Sequence, residues 1–230
     1  VEGFSADEFP LHRAACDVWD GHVFVNLAPA PPPLAVQLGE LPARFKPWRM
    51  DELIRVHGIE YDVAANWKLI VENFMECYHC ATIHPELTEV LPEFADGYAA
   101  QFFVGHGAEF GDDVKGFTVD GSEGFDRLPG VDEEHVRRYY AITVRPTVFI
   151  NLVPDHVIFH RMFPVSADRT IVECDWLYTH EVVESGKDVT RSVELFHRDN
   201  EQDFAACERT QPAMSSRAYA NGGVLVPSEH

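Results

Sequence analysis

The first strong pattern in the chain is an amphipathic helix that begins after Asn66. Its apolar positions recur every three or four residues, at Trp67, Ile70, Val71, Phe74, Met75 and Tyr78. This spacing is typical of one face of an α-helix, and asparagine is a common N-cap residue. The opposite stripe is polar and carries Glu72, Asn73, Glu76 and His79. The pattern therefore predicts a helix with one buried face and one face rich in possible ligands.

A second helix is predicted over residues 188–211. One of its faces is half apolar and carries Phe196, Asn200, Asp203, Cys207 and Met214. We expect Pro212 to end or kink this helix, because proline removes a backbone donor and clashes with the preceding turn. Asp203 thus brings a carboxylate to a stripe that is expected to be half buried.

Strand patterns dominate the segment between these helices. Runs at 147–153, 156–164 and 170–180 are separated by turn residues at 154–155 and 166–169, which predicts an antiparallel meander. A shorter strand is expected at 22–27. The proline-rich residues 28–48 are expected to form a surface connection without regular structure. Residues 97–130 carry eight glycines among several phenylalanines, a composition that favours loops and strand ends walling a pocket.

Composition excludes two classes of partner. The chain has 230 residues and a formal charge of −20, from 38 acidic and 18 basic residues. Such a charge repels nucleic acid phosphates and anionic lipid, so we expect neither nucleic acid nor membrane as a partner. The sequence has no apolar run of the roughly 20 residues needed to span a bilayer, and the opening residues lack the pattern of a signal peptide. We expect a cytoplasmic protein of enzyme size.

The five cysteines are an odd number spread over a long chain, at positions 16, 77, 80, 174 and 207. This distribution does not resemble the dense disulfide framework of a small secreted domain, and it favours reduced thiols. The chain begins without methionine and ends, at 221–230, without a terminating element. It could therefore be a piece of a longer polypeptide.

The stretch ENFMECYHCATIHPEL, residues 72–87, concentrates the candidate chemistry. Cys77 and Cys80 form a C-x-x-C pair, but the chain has no second such pair, and the pair lies late in the predicted helix instead of at a helix N-terminus. We therefore favour packed, inert cysteines. Cys77 and His79 also form half of a Cys-x-His iron–sulfur signature, yet no cysteine in the chain has a histidine three positions later. We expect no iron–sulfur cluster held by this chain.

The third possibility is a mononuclear metal site. His79 and His84 could both bind a metal, with a distant carboxylate completing the set. Asp203 is such a carboxylate, since an acid on a half-buried stripe needs a partner or a metal to offset its desolvation. The five-residue spacing of the histidines requires the first helix to loosen or end near Cys80, and Pro85 fits an ending. Non-haem iron, a zinc hydrolase and a metal-free ligand-binding module remain open on these residues.

Two separated motifs resemble one known family. NWKLIVENFMECYHCATIHPEL resembles the iron-site segment of the catalytic α-subunits of Rieske-type non-haem iron oxygenases, and NEQDFAACERTQ at 200–211 resembles their C-terminal ligand helix. VEGF and WDGHVFVNLAP near the start are similar to the stretch that follows the Rieske domain in that family. The resemblance covers nearly the whole chain. It implies a linker at 1–48 and a catalytic domain at 49–230, which together form one structural unit.

The resemblance implies a fold and a set of roles. The fold is α+β, a helix-grip (START-like) architecture in which a twisted antiparallel sheet wraps around a long helix. His79, His84 and Asp203 would bind one Fe(II), and Asn73 would lie near it. Glu76 would relay an electron from a cluster-binding histidine of a neighbouring subunit. Many members have aspartate at the position of Glu76.

The family also implies cofactors and partners. Members are commonly homotrimers, in which a [2Fe-2S] Rieske cluster of the full-length protein receives electrons from NAD(P)H through a reductase and sometimes a ferredoxin. Dioxygen and a small organic substrate would react at the iron. The sequence around Cys77 resembles that of members that act on quaternary amines. It equally resembles that of members assigned to the hydroxylation of aromatic rings. A set of aromatic residues is expected to include pocket-lining side chains: Phe102, Phe103, Phe149, Phe159 and Trp176.

Overall fold

The computed structural model describes residues 5–8, 11, 13–96 and 107–219. Phe102, Phe103 and the terminal segment 221–230, on which the sequence raised expectations, lie outside the described residues. Within the described part of the chain, no helix is both long enough and apolar enough to cross a bilayer.

The main sheet contains β3 (Ile54–Val63), β4 (Ala108–Glu109), β5 (Arg138–Val144), β6 (Val148–Leu152), β7 (Val157–Ser166) and β8 (Arg169–Tyr178). It is antiparallel and has the strand order β3-β8-β7-β6-β5-β4 among the described residues. A separate hairpin pairs β1 (Ala15–Trp19) with β2 (His22–Asn26). The predicted meander is confirmed as β6, β7 and β8, and the predicted strand at 22–27 as β2.

The helices among the described residues are α1 (Leu34–Leu38), α2 (Leu41–Arg44), α3 (Trp67–Phe74), α4 (Cys80–Ile83), α5 (Pro85–Val90), α6 (His180–Glu184) and α7 (Thr190–Met214). Single 3-10 turns lie at Ala6–Glu8, Lys46–Trp48, Met50–Glu52 and Pro92–Asp96. The long helix α7 packs on the sheet: Leu195 and Phe196 share one core cluster with Trp176, and Phe204 shares another with Phe149. The expected α+β architecture, an antiparallel sheet with a long helix against it, is confirmed.

Residues 28–48 are more regular and more buried than the proline content suggested. They form α1, α2 and a 3-10 turn, so the expectation of an irregular surface connection is wrong. Trp48 is fully buried, and its indole N–H donates to the Val153 carbonyl at 2.8 Å. Prolines lie at the starts of the short helices α1 and α2. Phe45 and Trp48 pack against Tyr140 of β5.

Helix α3 ends at Phe74, four residues before the predicted apolar face ends. Tyr78, expected on the buried face, is 72% exposed. A local hydrogen bond explains the early end, because the Glu76 carboxylate accepts from the backbone N–H of Tyr78. A side chain that captures a nearby backbone donor competes with continuation of the helix.

Helix α7 continues through Pro212 and ends two residues later, at Met214. Of the two expected effects, Pro212 does not end the helix, which ends half a turn later. A proline in the last turn removes only one intrahelical donor. The carbonyl of Pro212 accepts from the backbone N–H of Ser215 at 3.3 Å, which completes the helix end.

Asn66 caps α3, as its position predicted. Its side-chain oxygen accepts from the backbone N–H of Lys68 at 2.9 Å. We expect Asn66→Ala to lower the free energy of unfolding by about 1 kcal/mol, because a helix-end donor loses its partner. Urea unfolding measures this change. The exposed Glu72→Ala on the same helix should change it by less than about 0.5 kcal/mol, and equal losses in the two variants would argue against the cap.

Candidate metal centre

His79, His84 and Asp203 meet at one point, although they come from distant parts of the chain. His79 immediately precedes α4, His84 lies between α4 and α5, and Asp203 lies on α7. The Nε2 atoms of His79 and His84 lie 3.2 Å and 2.9 Å from the same oxygen, Asp203 Oδ1. The break between α3, α4 and α5 allows histidines five residues apart to converge, which an unbroken helix would not.

The outer nitrogen of each imidazole also has a partner. His79 Nδ1 contacts the Glu76 carboxylate, and His84 Nδ1 donates to Gln202 Oε1 at 2.6 Å. Occupying Nδ1 in this way selects the tautomer and the ring orientation, so that both Nε2 atoms face Asp203.

The charges of the three groups are strongly coupled. Burial alone would lower the pKa of His79, but hydrogen bonds with Asp203 and Glu76 outweigh it and raise that pKa to about 9. The pKa of His84 is raised by the same balance, with Asp203 as the main partner. Burial would raise the pKa of Asp203, but both imidazoles outweigh it and lower that pKa to about 2. The centre therefore holds a carboxylate that shares protons with two imidazoles.

Cys80 is a further donor beside this centre. Its sulfur lies 3.9 Å from His79 Nε2, and the donor atoms of His79, Cys80 and His84 lie within 4.8 Å of one another. The sulfur is bonded to Cys77 in a disulfide, with a Cα–Cα distance of 5.0 Å. The expectation of reduced thiols is therefore wrong for this pair. The turn before α4 brings the two cysteines within bonding distance, and the disulfide uses the sulfur that could otherwise bind a metal.

The centre opens onto a cavity of about 550 Å³. Asn73 and Glu76 line this cavity together with the two histidines and Asp203. The aromatic part of the lining consists of Phe45, Phe74, Phe94, Tyr139, Tyr140 and Phe196. The structure thus brings His79, His84, Asp203, Glu76 and Asn73 to one cavity.

The aromatic residues that line the cavity differ from those that the sequence analysis expected there. Phe149 stacks on Phe74 with ring centroids 3.9 Å apart, Phe159 stacks on His22 at 4.3 Å, and Trp176 is fully buried in the core. These three do not line the cavity, so that expectation is wrong for them. They occupy sheet positions whose side chains pack into the core.

Sequence reasoning missed two polar residues of α7 at this site. Gln202 orients His84, and Asp199 lies one helical turn before Asp203 with its Oδ1 3.8 Å from His84 Nδ1. Burial raises the pKa of Asp199 well above its ordinary value, against the lowering effect of His84. The four-residue spacing from Asp203 was the signal that could have revealed Asp199.

Two imidazole nitrogens and one carboxylate oxygen make a donor set that suits divalent transition metals. The residues present fit such an ion in three respects: both Nε2 atoms aim at one carboxylate oxygen, both Nδ1 atoms have partners, and one side faces the cavity. The open side leaves room for further ligands.

Comparison with known proteins gives consistent results. Residues 50–230 match the family model described as "Ring hydroxylating alpha subunit (catalytic domain)". The chain is 30% identical, over 251 aligned positions, to the glycine betaine monooxygenase oxygenase subunit of Pseudomonas aeruginosa, with 95% of this chain and 58% of that protein covered. It is 25% identical to the carnitine monooxygenase oxygenase subunit of Escherichia coli, with 98% and 58% covered. The chain thus spans less than two thirds of the length of these relatives.

Solved structures share the fold. The quaternary ammonium Rieske monooxygenase CntA, in complex with an inhibitor, superposes with a TM-score of 0.65 at 20% identity, over 95% of this chain and 57% of that one. Naphthalene 1,2-dioxygenase from Rhodococcus sp. gives a TM-score of 0.64 at 16% identity, over 90% and 56%. Together with the family match over 50–230, these findings confirm the resemblance read from the two sequence motifs: the chain belongs to the ring-hydroxylating α-subunit family of Rieske-type oxygenases, as a catalytic domain.

Proposed function

We propose that this chain is the part of a Rieske-type oxygenase that binds one Fe(II) through His79, His84 and Asp203 and oxygenates a small organic substrate. The observation that carries the proposal is the convergence of both Nε2 atoms on Asp203 Oδ1 at the wall of a partly aromatic cavity. Two histidines and one carboxylate on one face leave coordination positions open, an arrangement typical of non-haem iron(II) oxygenases.

The bound iron would supply the reductive activation of dioxygen, and the chain's own residues would prepare the site. Glu76 and Gln202 would hold the two imidazoles by their Nδ1 atoms. Leu87 and the aromatic lining would keep water away from the reacting substrate. Asn73 would offer an amide close to the iron. Such orientation and desolvation are the contributions expected of the protein in a cofactor enzyme.

Electron supply is proposed from the family. NAD(P)H would be oxidised by a reductase, with or without a ferredoxin, and a [2Fe-2S] Rieske cluster outside this chain's residues would pass electrons to the iron. In a homotrimer that cluster would belong to the neighbouring subunit, and Glu76 would form the bridge. The side chain of Glu76 supports this role, because it touches His79 and is still 23% exposed.

A quaternary amine is the substrate class that we place first. The oxygenase subunits named above act, by their names, on glycine betaine and carnitine. Aromatic faces attract such cations, and six aromatic side chains line this cavity. Hydroxylation of a carbon bound to the nitrogen uses O2, two electrons and two protons and releases water. The hydroxylated product then splits into an aldehyde and an amine. Aromatic compounds are the second class.

The proposal is tested by loading the chain with Fe(II) anaerobically and supplying a quaternary amine, O2, a Rieske protein, a reductase and NADH. We expect O2-dependent release of an aldehyde, and poor turnover when the Rieske protein is omitted. Activity that continues without O2, with zinc bound at the centre, would favour a hydrolase. A substrate that binds equally well to His79→Ala, with no metal in the parent protein, would favour a metal-free binding module.

Metal affinity is expected to rise with pH. The pKa of His79 is raised to about 9, so near neutral pH this imidazole carries a proton that a metal must displace. Each displaced proton makes the apparent affinity rise about tenfold per pH unit until the pH reaches that pKa. Competition with a chelator at about pH 6, 7 and 8, under anaerobic conditions, measures the slope. An affinity for Fe(II) that does not change over this range would contradict a site built on these histidines.

A further inference from the structure

Asp199 is a buried carboxylate without a hydrogen-bond partner among the described residues. Its residue is 2% exposed, and neither Oδ1 nor Oδ2 has a donor within hydrogen-bond distance. The nearest cationic group is His84, whose Nδ1 lies 3.8 Å from Oδ1. That nitrogen already donates to Gln202 at 2.6 Å. Orientation of His84 therefore does not account for Asp199.

Asp199 lies at the wall of the cavity. Asp199 lines the same cavity as the candidate metal centre, one helical turn before Asp203. A charged group deprived of water and of partners costs several kcal/mol in a protein interior, on the order given by ion desolvation. Buried acids are therefore paired or protonated as a rule. None of the described residues pairs with Asp199, and the cavity that it lines is the side on which a cation can approach it.

Aromatic rings surround this part of the cavity. Phe196 lies on the same helix, three residues before Asp199. Its ring centroid is 6.3 Å from that of Tyr139, which in turn is 5.8 Å from that of Phe94. Burial raises the pKa of the Tyr139 hydroxyl well above its ordinary value, and the charge of Asp199 raises it further. A carboxylate beside several aromatic faces attracts an organic cation by both Coulomb and cation–π interactions.

We propose that Asp199 is the counter-charge that binds the cationic group of the substrate and so selects quaternary amines over neutral molecules of the same shape. This inference rests on the proposed function and adds a specificity-determining residue to it. The carboxylate would hold the cation next to the iron, with the carbon to be oxidised facing His79, His84 and Asp203. Removing the charge would abolish the preference for a cation without removing the room for the substrate.

The test compares two probes that differ in charge and hardly in shape: choline, and its neutral carbon isostere 3,3-dimethylbutan-1-ol. Binding of each to the Fe(II)-loaded protein is measured by calorimetry. We expect choline to bind at least about tenfold more tightly than the isostere, and Asp199→Asn to bring the two affinities within about threefold. Glu201→Gln is the matched control, because it removes one charge from the solvent side of α7, and it should keep the parent's preference.

The outcomes separate the two proposals. Iron content is measured on every sample, and a parent chain that binds no iron contradicts the proposed function whatever the probes do. Iron-loaded parent protein without a preference for choline overturns the role of Asp199, and so does a preference that survives in Asp199→Asn. Should Asp199→Asn fail to fold, Asp199→Ser takes its place. Asp199→Glu, which keeps the charge, should retain the preference.

Discussion

Asp203→Ala is expected to leave the protein almost without iron. Asp203 supplies the single anionic donor of the proposed centre, and its Oδ1 is the atom on which both histidine Nε2 atoms converge. Two neutral imidazoles would remain, which bind Fe(II) weakly. Even the loss of a partner behind a ligand lowers metal affinity about 10- to 100-fold, so the loss of a ligand should cost more. Metal analysis of anaerobically purified protein should give near one iron per chain in the parent and less than a tenth of that in the variant.

Two further variants make this result interpretable. Glu201→Ala lies on the same helix two residues earlier with an exposed side chain, and it should keep its iron. His84→Ala should lose iron as Asp203→Ala does. Thermal unfolding of all samples shows whether the fold persists. Full iron in Asp203→Ala would mean that another residue completes the centre.

Glu76→Gln is expected to keep iron and to lose electron supply. Glutamine preserves the shape of the side chain and can still accept from the backbone N–H of Tyr78, but it removes the charge beside His79. With a Rieske protein, reductase and NADH, we expect turnover to fall about 10- to 100-fold, the range typical when the partner of a metal-bound histidine is changed. The chemically reduced protein should form product in a single turnover at a rate within a few fold of the parent.

The role of Glu76 in electron supply is tested by comparing turnover with NADH and single turnover of the chemically reduced protein. Glu72→Gln, exposed on the solvent side of α3, should change neither rate. A Glu76→Gln variant that loses its iron would instead make Glu76 an anchor of His79. Equal losses in the two assays would place its effect on chemistry at the iron and not on electron supply.

Strands β2, β6, β7 and β8 were predictable from the sequence because each carries a clear run of β-forming residues next to turn residues. Strands β1, β3, β4 and β5 were not predicted. Helix ends were less predictable. The end of α3 depends on Glu76 capturing a backbone N–H, which no periodic pattern contains. The burial of Trp48 was also hidden, because its partner Val153 lies 105 residues away in the chain.

Some residues of the site could be predicted from the sequence and others could not. His79, His84 and Asp203 could be proposed because their residue types and faces are visible in the sequence. Asp199 was not singled out, although its four-residue spacing places it on the same helix face as Asp203, because its burial and its lack of a partner are known only from the structure. The aromatic lining was misassigned for a related reason. Phe149 was expected in the pocket and Phe74 on the buried face of the helix, and only the three-dimensional arrangement shows that Phe74 lines the cavity while Phe149 stacks on Phe74.

The central claim is that His79, His84 and Asp203 bind one iron. The most direct measurement is X-ray diffraction from anaerobically loaded crystals, collected on both sides of the iron absorption edge. The account predicts one anomalous peak within bonding distance of both Nε2 atoms and the Asp203 carboxylate, present above the edge and absent below it. A peak at the sulfur atoms of Cys77 and Cys80, or no iron peak among the three side chains of fully loaded protein, would contradict it.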